Sequence, residues 1–317
     1  MKNHAFQGRI NYGGDLRPIL SKVCEDYGIG KYKVHNVVLV GYEDFNLILT
    51  TNKGKFFVKV FAAFRKPKDC QRYIEVVQRV LGAGVTHPQL YKSSQGVLYK
   101  ANGLRLCVSE FIDGKSFYEL DVKPIRREAQ VLIQQAARIN NLKMRPSKVY
   151  DTWGIVNFLR EYRDKKKYIS EGDVELIEPL VKSFVALGIR SLPHRLVHGD
   201  IISTNVMRDK QGKLHVIDFS VANYYPRINE LAVLLCDLLF DPQSPTRSRA
   251  LYDFALAEYQ KYIPFTSKEI SALPLYIRMG HAMHIIGASA AIAKNGPSQE
   301  NQYWLNLGRA GLEQHLV

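Results

Sequence analysis

Asp200, Asn205 and Asp218 are two carboxylates and an amide carried on two short loops, within Leu196-Val-His-Gly-Asp-Ile-Ile-Ser-Thr-Asn205 and Leu214-His-Val-Ile-Asp-Phe219. Each loop is fed by an apolar run that reads as a strand. Mg²⁺ takes oxygen ligands, and one or two carboxylates together with substrate phosphates usually complete its octahedron. A remaining carboxylate can accept the proton of a hydroxyl aimed at a nucleotide's terminal phosphate. A lone His-Gly-Asp is often a turn or a helix cap, and a lone Asp-Phe in a strand means little. It is their conjunction that points to metal-assisted phosphoryl transfer.

Asp200 precedes Asn205 by the D-x-x-x-x-N spacing of a kinase catalytic loop, and Asp218-Phe219 follows where a metal-binding D-F pair belongs. This spacing makes Asp200 the catalytic base and gives Mg²⁺ to Asn205 and Asp218. His198 is expected to brace the loop by hydrogen bonding, and Gly199 to let it turn tightly. With Asp218-Phe-Ser-Val-Ala222, the pattern resembles the aminoglycoside phosphotransferase and choline kinase-like superfamily. Upstream, Gly41-Tyr-Glu-Asp-Phe-Asn46 and Lys55-Phe-Phe-Val-Lys-Val-Phe61 are similar to the small-lobe hairpin of that superfamily, above all in the branch that contains phosphotransferase-type homoserine kinases. The resemblance runs in order through residues 35 to 240.

The resemblance implies a bilobal, protein-kinase-like α/β (α+β) fold, with a small β-rich N-lobe and a larger helical C-lobe. Residues 1–108 would form the nucleotide-binding lobe, 109–114 the connector, and 115–317 the catalytic and acceptor-binding lobe. ATP with Mg²⁺ would bind between the lobes, and the acceptor would be a hydroxyl of a small molecule: an amino alcohol, a metabolite or an antibiotic. Lys59, in Val-Lys-Val, matches the strand lysine that grips the α- and β-phosphates, and Glu75 on the next helix is the acid chosen to position it. Gly41 and Asn46 would cover the phosphates, while Glu110 and Ile112 of the connector would meet the adenine edge through backbone groups. The chain lacks the G-x-G-x-x-G loop and the A-P-E segment of protein kinases. Two further departures are Ile139-Asn140-Asn-Leu142 in place of a Leu-His pair, read as packing variation, and Glu230 in place of the Asp of D-L-A, expected to brace the catalytic loop. The competing class is an inactive nucleotide-binding regulator or an RNA-associated protein, against which the complete triad speaks.

The elements that must position these residues are legible in outline. Phe45-x-Leu-x-Leu49 and Phe56-x-Val-x-Val60 alternate with period two about an Asn52-Lys-Gly54 turn, which is a hairpin signal that sets Lys59 opposite Phe56, Val58 and Val60. A polar leader, residues 1–34, holds one helical stretch with Leu16, Ile19, Leu20 and Val23 at helical spacing. Helices are expected over about 69–81, from Ile125 through Ile139, from Val174 to Gly188, and from Pro226 to about Phe240. Three more follow over 247–262, 267–294 (opened by the capping box Thr266-Ser-Lys-Glu269) and 298–315. In the second of these, Arg278, His281 and His284 recur at i, i+3 and i+6: either core residues or part of a pocket for an anionic or hydroxylated acceptor.

Composition excludes less. The net charge of +14 is uneven: residues 1–100 carry 16 Lys/Arg against 7 Asp/Glu, whereas residues 223–317 carry 8 of each. That surplus suits polyphosphate, and it would also attract nucleic acid. The basic clusters are short and read as solvated surface, so nucleic acid is not an expected partner. Cys24, Cys70, Cys107 and Cys236 are scattered with no C-x-x-C pair, which reads as idle thiols in a reducing compartment. No signal peptide or membrane-spanning run is apparent, so a cytoplasmic location is expected. The neutral C-terminal third offers no concentrated acidic patch for a polycationic antibiotic. Nothing in the sequence speaks to oligomeric state.

Overall fold

The computed structural model describes residues 7–39 and 43–314. The chain divides into two compact units, one of Met1–Gly82 with Thr86–Asp113, the other of Ala83–Val85 with Gly114–Val317.

The first unit is built on one antiparallel sheet. Helix α1 (Arg17–Asp26) precedes strands β1 (Tyr32–Val38), β2 (Phe45–Thr51) and β3 (Gly54–Val60); helix α2 (Pro67–Gly82) then leads to β4 (Tyr99–Ala101) and β5 (Leu104–Glu110), in sheet order β1-β2-β3-β5-β4. Alternation decides the faces. Phe45, Leu47 and Leu49 of β2, with Phe56, Val58 and Val60 of β3, join Leu106 and Val108 of β5 in one apolar cluster. Ile19, Leu20, Val23 and Cys24 of α1 belong to the same cluster, as do Ile10 and Leu16. The segment read as a polar leader is therefore part of the core: its few apolar residues share one helix face, and the sheet provides the surface that buries them. Lys59 is buried on the other side of β3, directly across from its β2 partner Asn46.

The second unit is mainly helical. Strand β6 (Gly114–Ser116), helix α3 (Phe117–Leu120) and helix α4 (Arg126–Asn141) open it, followed by α5 (Phe158–Lys165) and α6 (Glu171–Leu187). The strands β7 (His194–Val197), β8 (Val206–Asp209), β9 (Leu214–Val216) and β10 (Asn223–Pro226) carry the candidate loops. Helices α7 (Ile228–Cys236), α8 (Pro245–Gln260), α9 (Ser267–Asn295) and α10 (Gln299–Glu313) complete the unit. Every residue of α7 is buried, so polar groups on it must find protein partners. Helix α9 starts at the capping box Thr266/Glu269, and Glu269 also takes Arg227, the N-cap of α7, in a buried two-point pair at 2.7 and 2.8 Å. Ile125, expected on the buried face of α4, is instead its exposed N-cap. All four cysteines are free and buried. Among the described residues no helix is long and apolar enough to cross a membrane.

Candidate active site

In the second unit, strand pairing places the triad. Strand β7 runs into His198-Gly199-Asp200. Asn205 stands just before β8 and Asp218 just after β9; because Val206 pairs with Val216, both lie at one end of that hairpin, and the Ile217 N–H donates to the Asn205 carbonyl at 2.9 Å. Asn205 Nδ2 donates to Asp200 Oδ2 at 2.6 Å and to the Asp200 carbonyl at 3.1 Å. Asp200 and Asn205 are thus in direct contact, and the amide turns its Oδ1 away from Asp200. Asp218 sits in the left-handed region (φ 62°) and its Oδ1 accepts from the backbone and hydroxyl of Ser220. Burial raises the Asp200 carboxyl well above the usual carboxylate range, with the nearby charges of Asp151, Asp218 and Asp237 pushing the same way. The Asn205 hydrogen bond opposes them.

The bracing of this loop is extensive. His198 is fully buried; its Nδ1 accepts the Asp200 N–H at 3.2 Å, and its Nε2–H donates to the Ile217 carbonyl at 3.0 Å. One imidazole therefore ties the Asp200 loop to the residue before Asp218. Burial pushes it down to about 4, so it is neutral at physiological pH. Gly199 has φ 81°, a conformation that favours glycine, and its N–H donates to Glu230 Oε2 at 3.3 Å. Burial raises Glu230 to about 8. The expected brace at Glu230 has a geometric basis: α7 delivers that carboxyl to the turn.

Three residues escaped sequence reasoning. Asp237, fully buried at the end of α7, accepts the Ser203 N–H and the Tyr303 hydroxyl, while Lys123 Nζ lies 3.7 Å from its Oδ1 and donates to its carbonyl at 2.8 Å. A lone acid in the apolar run Leu231 to Phe240 was the available signal. Asn140 is not packing variation: its amide donates to the Leu196 carbonyl of β7 at 2.8 Å and accepts from Tyr259. Asp151, in Asp-Thr-Trp-Gly154, accepts the Trp153 N–H at 2.8 Å, and its charge reaches Asp200. No local pattern announces it.

In the first unit, Lys59 Nζ meets Asp44 Oδ2 at 3.1 Å and lies 5.3 Å from the centre of the Tyr73 ring on α2. The expected partner, Glu75, is exposed and accepts from Gln71 Nε2 one turn back at 3.3 Å; it does not pair with Lys59. The physical reason is helix phase: α2 turns Tyr73, Ile74, Val76 and Val77 inward and leaves Glu75 on the solvent side. Asn46 lies beside Lys59, with a buried amide oxygen that has no hydrogen-bond partner among the described residues. Gly41 lies outside the described residues. Glu110 ends β5 with its N–H committed to the Gln89 carbonyl at 3.0 Å, so an adenine contact there would use its carbonyl; Ile112 is half-buried two residues on. His281 and His284 pack as core residues in the part of α9 that is buried all round, against Phe240 and Trp304 respectively. Burial lowers both, His284 to about 4. Arg278 Nε is buried without a hydrogen-bond partner among the described residues.

The donor set fits Mg²⁺. Asn205 Oδ1 and the Asp218 carboxylate are hard oxygen donors, and among the described residues no cluster of three or more His, Cys, Asp or Glu could hold an ion unaided. A two-ligand site completed by phosphates matches how Mg²⁺ is usually bound.

A β-rich N-terminal unit with a buried strand lysine and a helical C-terminal unit with an Asp-Asn-Asp loop pair are the architecture of a nucleotide-dependent phosphotransferase of the kinase-like fold. The phosphotransferase enzyme family matches residues 37–265, and the chain belongs to that family. Curated homoserine kinases are related over most of its length: those of Caulobacter sp. (strain K31) and Rhodospirillum rubrum are each 24% identical, covering 83% and 84% of this chain and 82% and 83% of their own. Among solved structures, a spectinomycin phosphotransferase with ADP and spectinomycin superposes with a TM-score of 0.68 at 11% identity, covering 95% of this chain and 98% of that one. An amicoumacin kinase in complex with AMP-PNP gives 0.67 at 14% identity, covering 95% and 94%. The chain is an ATP- and Mg²⁺-dependent enzyme that transfers phosphate to a hydroxyl of a small molecule.

Proposed function

We propose that Asp200 orients the acceptor hydroxyl and takes its proton, that Asn205 and Asp218 hold Mg²⁺, and that Lys59 and Asn46 hold the nucleotide phosphates. Bound Mg²⁺ would screen the charge of the phosphates. The chain's own groups do the rest. The Asn205 amide orients Asp200, His198 holds that loop to the Asp218 loop, and Glu230 fixes the turn at Gly199. Lys59 supplies a fixed positive charge, and rotating the Asn46 amide presents its NH₂ at the position now filled by a partnerless oxygen. Backbone groups of Glu110 and Ile112 would meet the adenine, with Gly41 in the covering loop. The boundaries 1–108, 109–114 and 115–317 remain our division of labour for these roles. Catalysis of this kind is mostly positioning and preorganised electrostatics.

The acceptor is a small alcohol that carries an ammonium group. The observation behind this reading is the convergence of Asp151, Asp218 and Asp237 on Asp200: with Asp218 given to the metal, the charges of Asp151 and Asp237 still act on Asp200. An ammonium group on the acceptor would lower the electrostatic cost of that arrangement, and homoserine, the substrate that the relatives' name gives, is a hydroxy-amino acid that carries one. We place the enzyme in the cytoplasm, where ATP is abundant and free thiols such as its four cysteines persist.

A screen for ADP release tests both statements, using homoserine and other amino alcohols, their amine-free analogues, and aminoglycosides. Amine-bearing alcohols are expected to be turned over and their amine-free analogues not. Equal turnover of both would overturn the acceptor reading. Asp200→Asn is expected to lower kcat by about 10²–10⁴-fold while keeping ATP affinity, and near-wild-type turnover would remove Asp200 from the base role.

A further inference from the structure

We propose that Asp44 is the residue that positions Lys59 for the nucleotide phosphates, with Arg65 as the counter-ion that keeps Asp44 in place when Lys59 turns to its ligand. This deepens the phosphate-binding role given to Lys59 above and rests on it.

The Asp44 carboxylate is buried and its two oxygens are divided. Oδ2 meets Lys59 Nζ at 3.1 Å; Oδ1 accepts Arg65 Nε at 2.7 Å and the Ala62 N–H at 3.0 Å. Removing one partner of a buried ion pair leaves an uncompensated charge, which is strongly unfavourable. With two cations on one carboxylate, Lys59 can turn to a phosphate without leaving Asp44 bare. Arg65 is itself held: its carbonyl accepts from Arg105 Nη2 at 2.9 Å and its guanidinium also pairs with Glu43. Arg9 Nη1 donates to the Asp44 carbonyl at 3.1 Å and fixes the backbone of the same loop. These ties run among the Glu43–Asn46 tract, residues 62–65, β5 and the N-terminal segment. Helix α2 contributes the Tyr73 ring to Lys59, and its exposed Glu75 takes no part. Lysine placement is therefore built into the phosphate-covering loop and does not depend on an acid supplied by the helix.

The test uses the full chain and measures ATP·Mg²⁺ affinity by calorimetry, along with KM and kcat for ATP and acceptor. Asp44→Asn is expected to weaken ATP binding by about ten- to a hundredfold, the worth of a charge-assisted hydrogen bond. It should leave the acceptor KM unchanged and add nothing further in a Lys59→Met background; Glu75→Gln should behave as wild type. An unchanged ATP affinity in Asp44→Asn, an equal loss in the Lys59→Met background, or a Glu75→Gln variant as impaired as Asp44→Asn would each overturn the proposal. Should the amide variant not fold, Asp44→Glu carries the test: it keeps the charge for Arg65 but moves it by one methylene, and an unchanged ATP KM would sink the idea. Failure of Lys59→Met itself to weaken ATP would remove the phosphate role of Lys59 and the proposal with it. Loss with Lys59→Met but not with Asp44→Asn would remove the proposal alone.

Discussion

Around Asp200 three of the groups that brace the turn carry no formal charge at neutral pH, whereas the groups around Lys59 are ionic. His198 is neutral, Glu230 is raised to about 8 and Asn205 is an amide; each holds the His198-Gly199-Asp200 turn through a hydrogen bond. Lys59, by contrast, is placed by Asp44, which in turn is shared with Arg65, itself paired with Glu43. The difference suits the roles proposed for the two residues. A base works best when its pKa approaches the operating pH, and a cation bracing Asp200 would pull it the wrong way. A phosphate anchor must stay charged while buried, which requires an opposite charge beside it. The Asp200 turn is held mainly by dipoles and Lys59 by ions.

The largest expected effect lies on the dipole-held side, where Asp218→Ala should abolish Mg²⁺-dependent nucleotide binding and activity. Calorimetric titration of ATP with and without Mg²⁺ reads this, and an unchanged metal dependence would mean the ion sits elsewhere. Next, His198→Ala should cut kcat by about 10²-fold, the scale of a small misplacement of a reacting group, with little change in ATP affinity. If ATP affinity falls as far as kcat does, the Asp200 turn and Lys59 are not braced independently.

The smallest effect sharpens the comparison most. Glu230→Gln mimics the protonated carboxyl, so activity at pH 7 should stay close to wild type, in contrast to the same exchange at Asp44. The folded-state pKa of Glu230 lies above its unfolded value. Its contribution to stability is therefore full below about pH 4.5 and is lost as pH rises through about 8. Relative to the amide variant, wild type should lose on the order of 1 kcal/mol per pH unit across that window. Thermal melting of both proteins from pH 5 to 9 is the measurement. Parallel curves would mean that Glu230 is ionised throughout and braces the loop as a charge.

What was legible in the sequence was what is local. The Asp200–Asn205 spacing, the hairpin about Asn52-Lys-Gly54 and the Thr266/Glu269 capping box each lie within a few residues, and chain geometry allows them few arrangements. Lys59 could be assigned to the face opposite Phe56, Val58 and Val60 because period-two alternation fixes it; its burial could not be read that way. Nor could its partner, since Glu75 and Asp44 are both acids within reach in sequence, and only the phase of α2 and the fold of the Glu43–Asn46 tract tell them apart. Asp237 and Asn140 were hidden for the same reason. One sat in an apolar run and the other at a helix end, and their meaning comes from strands and loops 34 and 56 residues away. The segment before β1 looked peripheral because its apolar residues are few; the sheet it docks on is what makes them core.

Gly287 makes the Asp151–Trp153 turn sensitive to a distant exchange. The indole of Trp153 lies so close to α9 there that a methyl group on residue 287 would fall inside its van der Waals envelope. Trp153 is two residues from Asp151, and Asp151 grips the Trp153 N–H. A glycine-to-alanine change in the middle of a helix ordinarily favours the helix; here it would displace a rigid ring and carry an acid with it. A change in the field at Asp200 would thus begin at a helix position that carries no side chain, with one hydrogen atom exchanged for a methyl.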